Sequence, residues 1–103
     1  MRIIAPKTLK AFWEKPAHDA AEGPMKAWIS LTEVARWENP PQVKKAFNSA
    51  GILPGSRMMF DIGGNKFRII TRIDYAFGIV FVIWVGTHAQ YDRIDAKTVQ
   101  RGG

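Results

Sequence analysis

Four side chains that can act on a phosphodiester lie in the second half of the chain. Lys66 and Arg68 share one parity of a strand-like run, while His88 and Tyr91 follow the end of the next run. Cations can stabilise the charge that develops on a phosphate, and an imidazole or a phenol can transfer protons. The arrangement predicts that these groups gather at one edge of a small sheet. Such a set could cleave a phosphodiester without a metal ion.

The first of these runs carries a cationic face. Lys66, Arg68 and Arg72 share one parity, and side chains of one parity point to the same face of a strand. A solvated sheet face can carry such charges without any function. Three like charges nevertheless repel one another, and a multiply anionic ligand would relieve that repulsion. Arg68 is the better candidate for binding phosphate, because a guanidinium is planar and bidentate.

The histidine and the tyrosine follow the second run. His88 comes directly after Gly86-Thr87, at a strand end, where loops often place functional groups. An imidazole has a reference pKa of about 6.5, which suits proton transfer at neutral pH. Tyr91 shares its side of the chain if the segment is helical. A surface histidine and a rim aromatic are the structural alternatives. The other histidine, His18, has no evident partner and is expected to be structural or on the surface.

Metal and nucleotide sites find little support in the sequence. The chain has no cysteine, and its His, Asp and Glu residues are not spaced as metal ligands. The glycine pair Gly63-Gly64 lies between strands and not before a helix, so it does not resemble a nucleotide-binding loop. We therefore predict no metal and no cofactor.

Helical periodicity dominates the first half of the chain. Arg2-Ile3-Ile4 indicates a short strand, and Pro6 sets the start of a helix. A longer apolar stripe at helical spacing runs from residue 21 to residue 35 and contains Gly23-Pro24. Either a helix begins with Pro24 in its first turn, or one longer helix is kinked there. The kinked helix is our prediction.

A short helix and a change to a period of two follow. Asn39 is a suitable cap, Pro40 suits the first helical position, and residues 48–56 are expected to form a loop. Gly63-Gly64-Asn65 is a hairpin turn signal. The polar tail from Tyr91 is compatible with a short helix. Strands are predicted near residues 57–62, 66–74 and 79–86.

These elements predict one α+β domain over residues 1–103, with helices covering one face of a mostly antiparallel sheet. The segment Ile79 to Val85 is apolar on both parities, which predicts that it is the most central strand. Lys66 should be exposed. The side chains predicted to be buried in the strands are Phe67, Ile69, Ile73, Phe81 and Ile83.

Composition limits the class of protein. The chain has 103 residues, is 47% apolar and carries a net charge of +6, which indicates a small globular protein with an anionic partner or simply a lysine-rich surface. The absence of cysteine fits a reducing cytoplasm. The longest apolar run is strand-length and far short of a membrane span. Gly102-Gly103 is expected to be a frayed end.

Two segments of the chain resemble a known family. Residues 60–70 read FDIGGNKFRII, and residues 84–92 read WVGTHAQYD. Together with their separation and the helical first half, they closely resemble the HigB-type toxins of bacterial toxin–antitoxin systems, which belong to the RelE superfamily. The resemblance extends from Met1 to about Ala96.

This resemblance implies a RelE-like fold and an endonuclease of messenger RNA, called an mRNA interferase. Many relatives cut messenger RNA in the ribosomal A site and are silenced by a helix-turn-helix antitoxin of the HigA type. Gln90 stands where many relatives have an acidic residue. Proton transfer or charge stabilisation falls to Lys66, Arg68, His88 and Tyr91, with Asn65 and Arg72 as RNA-binding residues.

The implied chemistry uses the RNA 2′-OH as nucleophile, with one residue as base and another as acid. The sequence does not decide which of His88 and Tyr91 takes which role. Asn65 is as well explained by shaping the turn as by binding RNA. Two other classes stay open, a non-catalytic module that binds RNA or the ribosome and a protein-interaction domain.

Overall fold

The computed structural model describes residues 1–100. The end expected to fray, Gly102-Gly103, lies outside the described residues. The described part of the chain contains no helix that is both long and apolar enough to cross a membrane.

The helices begin where the sequence supplies a proline or a cap. Helices α1 and α3 have proline in their first turn, and the Asn39 side chain accepts a hydrogen bond from the backbone N–H of Gln42 at the start of α3. A 3₁₀ helix joins α1 to α2. The helical segments are α1 (Pro6–Trp13), the 3₁₀ helix (Pro16–Ala21), α2 (Glu22–Val34), α3 (Pro40–Ala46) and α4 (His88–Tyr91).

The strands form one five-stranded sheet in the order β1-β5-β4-β3-β2. The pair β1 and β5 is parallel, and the other neighbours are antiparallel. Helices pack on this sheet, which confirms the predicted α+β class. The strands are β1 (Arg2–Ile4), β2 (Gly51–Leu53), β3 (Arg57–Ile62), β4 (Phe67–Asp74) and β5 (Ile79–Thr87).

The predicted kinked helix is wrong. Helix α2 begins at Glu22, so Pro24 lies in its first turn and not in a helix interior. The N–H groups of the first turn have no acceptor within the helix, so a proline there loses no hydrogen bond. Its ring also clashes with no carbonyl, because no turn precedes it. The apolar stripe extends beyond the N-terminal end of α2 only because the preceding 3₁₀ helix buries Ala21.

Two strand predictions also need correction. Residues 48–56 are not all loop, because β2 pairs with β3 inside that range. The central strand is β4 and not β5, since β4 has two strands on one side and two on the other. Ile69 and Ile70 point to opposite faces of β4 and both are fully buried.

Strand β1 pairs with only Ile79–Phe81 of β5, which leaves the rest of that edge without a paired strand among residues 1–100.

A β-bulge reverses the predicted faces of β5. Ile70 pairs with Trp84 and Thr71 with Val82, so Ile83 is the extra residue that is left unpaired. Val80 and Val82 are therefore the buried residues, while Phe81 and Ile83 are only half-buried. The predicted burial of those two side chains is wrong. The burial of Phe67, Ile69 and Ile73, and the exposure of Lys66, are confirmed.

The core lies between the helices and one face of the sheet. Trp28 of α2 meets Phe60 of β3 edge to face at 5.2 Å, and Phe12 of α1 meets Phe67 of β4 in the same way at 5.8 Å. These contacts occupy the helix-covered face. The opposite face, which carries Arg68 and Arg72, is left for the candidate site.

Candidate functional site

A tight turn sets the register of the site. Gly63, Gly64 and Asn65 have φ values of 64°, 63° and 76°, all in the left-handed region. Glycine adopts this region freely, and asparagine does so more easily than most other residues. The turn pairs Asp61 of β3 directly with Arg68 of β4 on the face away from the helices.

Arg68 is held by its neighbours on this face. Its Nε lies 3.0 Å from Oδ1 of Asp61, and its Nη2 donates a 2.8 Å hydrogen bond to Oδ1 of Asn65. The Arg68 side chain is only 15% exposed. Asp61 therefore compensates part of its charge, and only a small part of the side chain meets solvent. Nη1 has no hydrogen-bond partner among residues 1–100, which leaves that nitrogen as a donor for a ligand.

The end of β5 carries a glycine for steric reasons. A Cβ on Gly86 would lie 2.4 Å and 2.5 Å from two carbons of the Trp84 indole, and 2.7 Å from Oε1 of Gln90. Real Cβ atoms do not approach so closely, so any other residue would displace this ring. The indole of Trp84 thus lies over Gly86, at the start of the segment that carries His88 and Tyr91.

Helix α4 is fixed by a capping box. The Thr87 hydroxyl accepts from the backbone N–H of Gln90 at 3.1 Å, and the Gln90 side chain accepts from the backbone N–H of Thr87 at 2.9 Å. A glutamine serves this role as well as an acidic residue. This gives Gln90 a structural explanation.

Tyr91 completes the contacts around Arg68. The Arg68 guanidinium carbon lies 4.5 Å from the centre of the Tyr91 ring, a cation–π contact. The centre of the Tyr91 ring also lies 6.1 Å from that of Trp84. Arg68 thus contacts both Asn65 and Tyr91, and the three residues form one group.

His88 joins this group through the backbone. Its N–H donates to the carbonyl of Lys66 at 3.0 Å, which ties the start of α4 to the start of β4. Its side chain is 41% exposed, and Nε2 lies 3.5 Å from Oδ2 of Asp92, one helical turn later. A carboxylate at this position can orient an imidazole.

The remaining predicted residues lie at different distances from this group. Lys66 is exposed at the end of the turn, beside His88 along the backbone. Arg72 follows Ile70 on the same face of β4, and its guanidinium carbon lies 4.4 Å from the centre of the Phe81 ring. The structure therefore does not bring Arg72 to Tyr91. The sequence also predicts that Arg68, His88 and Tyr91 line one shallow basic concavity, and this stays a prediction.

Sequence reasoning missed three residues of this region, Asp61, Trp84 and Asp92. Asp61 had a detectable signal, because the turn places it opposite Arg68. The spacing of His88 and Asp92 was a second signal, since residues four apart meet on a helix. Trp84 gave no signal, because a strand tryptophan is usually explained by the core.

Two grooves flank the sheet, and neither is lined by Arg68, His88 or Tyr91. The larger, about 600 Å³, lies at the far end of β4, beside Val34, Phe77 and Tyr75, and burial raises the pKa of the Tyr75 phenol. The smaller, about 380 Å³, runs between α1 and the end of β5 and includes Trp84. Within residues 1–100, no three His, Asp or Glu side chains are grouped to hold a metal ion.

The fold is that of a small RelE-like toxin from a toxin–antitoxin system. The chain belongs to the HigB toxin family. The model of that family, described as the RelE-like toxic component of a toxin–antitoxin system, matches residues 21–94. No curated protein matches the chain. Family membership confirms the resemblance seen in the sequence and implies that an antitoxin is the partner of this protein.

Proposed function

We propose that this toxin is a metal-independent endoribonuclease that cleaves messenger RNA, on the ribosome, in the cytoplasm. The observation that carries the proposal is the contact between Arg68 and Tyr91 at the end of β5. It combines a cation held by Asp61 and Asn65 with the Tyr91 ring, whose centre lies 4.5 Å from the Arg68 guanidinium carbon. Tyr91 is one helical turn from His88. A group held in advance in this way can stabilise charge in a transition state without reorganising.

The reaction needs only groups of this chain and of the RNA. A base takes the proton of the 2′-OH, and the 2′ oxygen attacks the adjacent phosphorus. The bond from phosphorus to the 5′ oxygen breaks, and an acid gives that oxygen a proton. The products are a 2′,3′-cyclic phosphate and a 5′-OH end. His88 and Tyr91 supply the base and the acid.

The cationic residues stabilise the phosphate charge and bind the RNA. Nη1 of Arg68 can donate to a phosphate oxygen while Nε and Nη2 stay with Asp61 and Asn65. Lys66, exposed at the turn beside His88, provides a second positive charge or a proton donor. Arg72 binds the RNA backbone farther along the sheet. The partner that silences this activity is proposed to be a helix-turn-helix antitoxin of the HigA type.

The test uses the purified chain with messenger RNA, alone and on translating ribosomes. We expect new RNA ends that polynucleotide kinase labels without prior phosphatase treatment, because they carry a 5′-OH. Cleavage should survive EDTA at concentrations that leave the ribosomes intact. Ends that carry a 5′-phosphate would contradict the mechanism.

His88→Ala separates a nuclease from a binding module. Loss of a group that transfers a proton costs about 10²–10⁴-fold in rate, so cleavage should fall by that factor while RNA binding remains. His88 is half-exposed, and its truncation should leave the fold intact. Asp92→Asn is the companion variant: it keeps the imidazole and removes only the carboxylate that can orient it, so cleavage should fall less than in His88→Ala. Full cleavage by a folded His88→Ala variant would exclude His88 from the reaction.

A further inference from the structure

The smaller groove lies next to the candidate site and shares a wall with it. Its volume is about 380 Å³, within the range of about 300–1,000 Å³ that is usual for small-molecule sites. Trp84 forms one wall, and the Trp84 indole is 6.1 Å from the Tyr91 ring that packs on Arg68. One side chain therefore separates the groove from the group that we propose to act on the phosphate.

The lining of this groove combines ring faces with positive charge. Phe12 and His18, which are stacked on each other at 4.1 Å with their planes 7° from parallel, line the groove together with Trp84. Lys15 and Arg93 line the groove and are exposed, and no Asp or Glu belongs to the lining. Neither cation has a carboxylate partner in the part of the chain that the structure describes.

These features match one ligand chemistry. Aromatic faces stack on nucleobases whatever the sequence, and cations that lack a partner bind phosphates. Gln90 also lines the groove, and its Oε1 is engaged by Thr87, which leaves its amide N–H groups to donate to a base. An acidic peptide would use the two cations but would leave the ring faces without a function.

We propose that this groove binds one nucleotide of the single-stranded RNA, next to the nucleotide that carries the scissile phosphate. The base packs against Trp84, and Lys15 and Arg93 hold the phosphate. The inference rests on the proposed function, since it gives that site a neighbouring position for its substrate. It also assigns a role to Lys15 and Arg93, which lie outside the two segments that carry the family resemblance.

The test measures binding without cleavage. The probe is a mixed-sequence RNA hexanucleotide with 2′-O-methyl groups on every sugar, which removes the nucleophile. We expect it to shift the indole N–H resonance of Trp84 in an NMR titration. The double variant Lys15→Ala/Arg93→Ala should bind about tenfold or more weakly, and its slope of log affinity against log salt should fall by about 0.7, the value for one phosphate that is no longer neutralised.

A second double variant provides the control. Lys7→Ala/Lys45→Ala removes the same charge from exposed positions of α1 and α3 outside the groove, and it should lose much less affinity. Trp84→Leu should weaken binding by about ten- to a hundredfold through lost stacking. Equal affinities for the two double variants, an unmoved Trp84 resonance, or no binding of the probe would overturn the inference. Weakened binding of the antitoxin with unchanged RNA binding would instead assign the groove to an acidic peptide.

The two proposals fail in different ways. If the wild-type chain binds the probe through the groove but does not cleave RNA, the proposed function is wrong and the groove stands. If it cleaves RNA while the groove variants bind the probe as the control does, the groove is wrong and the proposed function stands.

Discussion

Arg68 illustrates how packing adds to the role expected of a single residue. This cation on a strand face was predicted to bind phosphate. In the structure its guanidinium is packed between Asp61, Asn65 and the Tyr91 ring. Its role in the proposed site thus includes holding Tyr91 in place as well as stabilising charge.

This packing leads to a prediction about stability. Arg68→Ala leaves the carboxylate of Asp61 largely buried without its cation, so we expect a loss of about 1–3 kcal/mol in the free energy of unfolding. That loss exceeds what an exposed cation would give, and chemical denaturation followed by circular dichroism measures it.

Arg68→Lys is the informative companion. It keeps the charge near Asp61 but cannot stack a planar guanidinium on Tyr91. We expect near-normal stability with cleavage reduced by about 10²-fold or more, because a charge contact to the transition state is lost. Normal cleavage by Arg68→Lys would mean that only the charge at this position matters.

The end of β5 is the element that organises the site. Trp84, Gly86 and the capping box of Thr87 and Gln90 follow one another within seven residues of strand and helix. The strand brings the indole over Gly86, and the cap then turns the chain so that Tyr91 meets Arg68. The position of α4 thus depends on packing at a glycine.

Gly86→Ala tests this dependence. The added methyl group would meet the indole at about 2.4 Å, so the ring must move and carry Tyr91 with it. We expect a loss of about 1–3 kcal/mol in the free energy of unfolding, as in other overpacked sites, and a change in tryptophan fluorescence. The same substitution in a Trp84→Leu background should cost less. Equal costs in both backgrounds would show that the indole is not the obstacle.

Net charge acts at the scale of the whole molecule. The +6 charge favours association with partners of opposite sign, and the RNA of the proposed function carries such a charge. We propose that the antitoxin covers or distorts the basic site. Complementary charge mainly accelerates association, while buried apolar contacts set how long a complex lasts.

Stopped-flow measurements with the purified antitoxin can separate these contributions. The association rate constant should fall steeply between about 0.05 M and 0.5 M salt, as the screening length shortens, while the dissociation rate constant changes little. Co-purification of the two proteins at physiological salt is the qualitative form of this test. Failure to associate there would count against an antitoxin that acts by binding this chain.

Local patterns explain which parts of the fold were predictable. The strand bounds 57–62 agree with the structure, and the bounds near 66–74 and 79–86 differ from it by one residue at one end. The alternation of apolar and polar residues over these runs depends only on residues close together in the sequence, and so does the turn at Gly63-Gly64-Asn65. The short strand Arg2–Ile4 and the cap at Asn39 were likewise visible, because each depends on a few adjacent residues.

The sequence by itself determined most of the elements, the family and the residue types available for chemistry. Only the tertiary structure decided which strand is central, which face of β5 is buried and what surrounds Arg68. The bulge at Ile83 depends on how β4 and β5 pair, and β1 pairs only with Ile79–Phe81, so it does not cover the edge of β5 at Trp84. These features depend on contacts between residues far apart in the chain, and such contacts leave no periodic trace in the sequence.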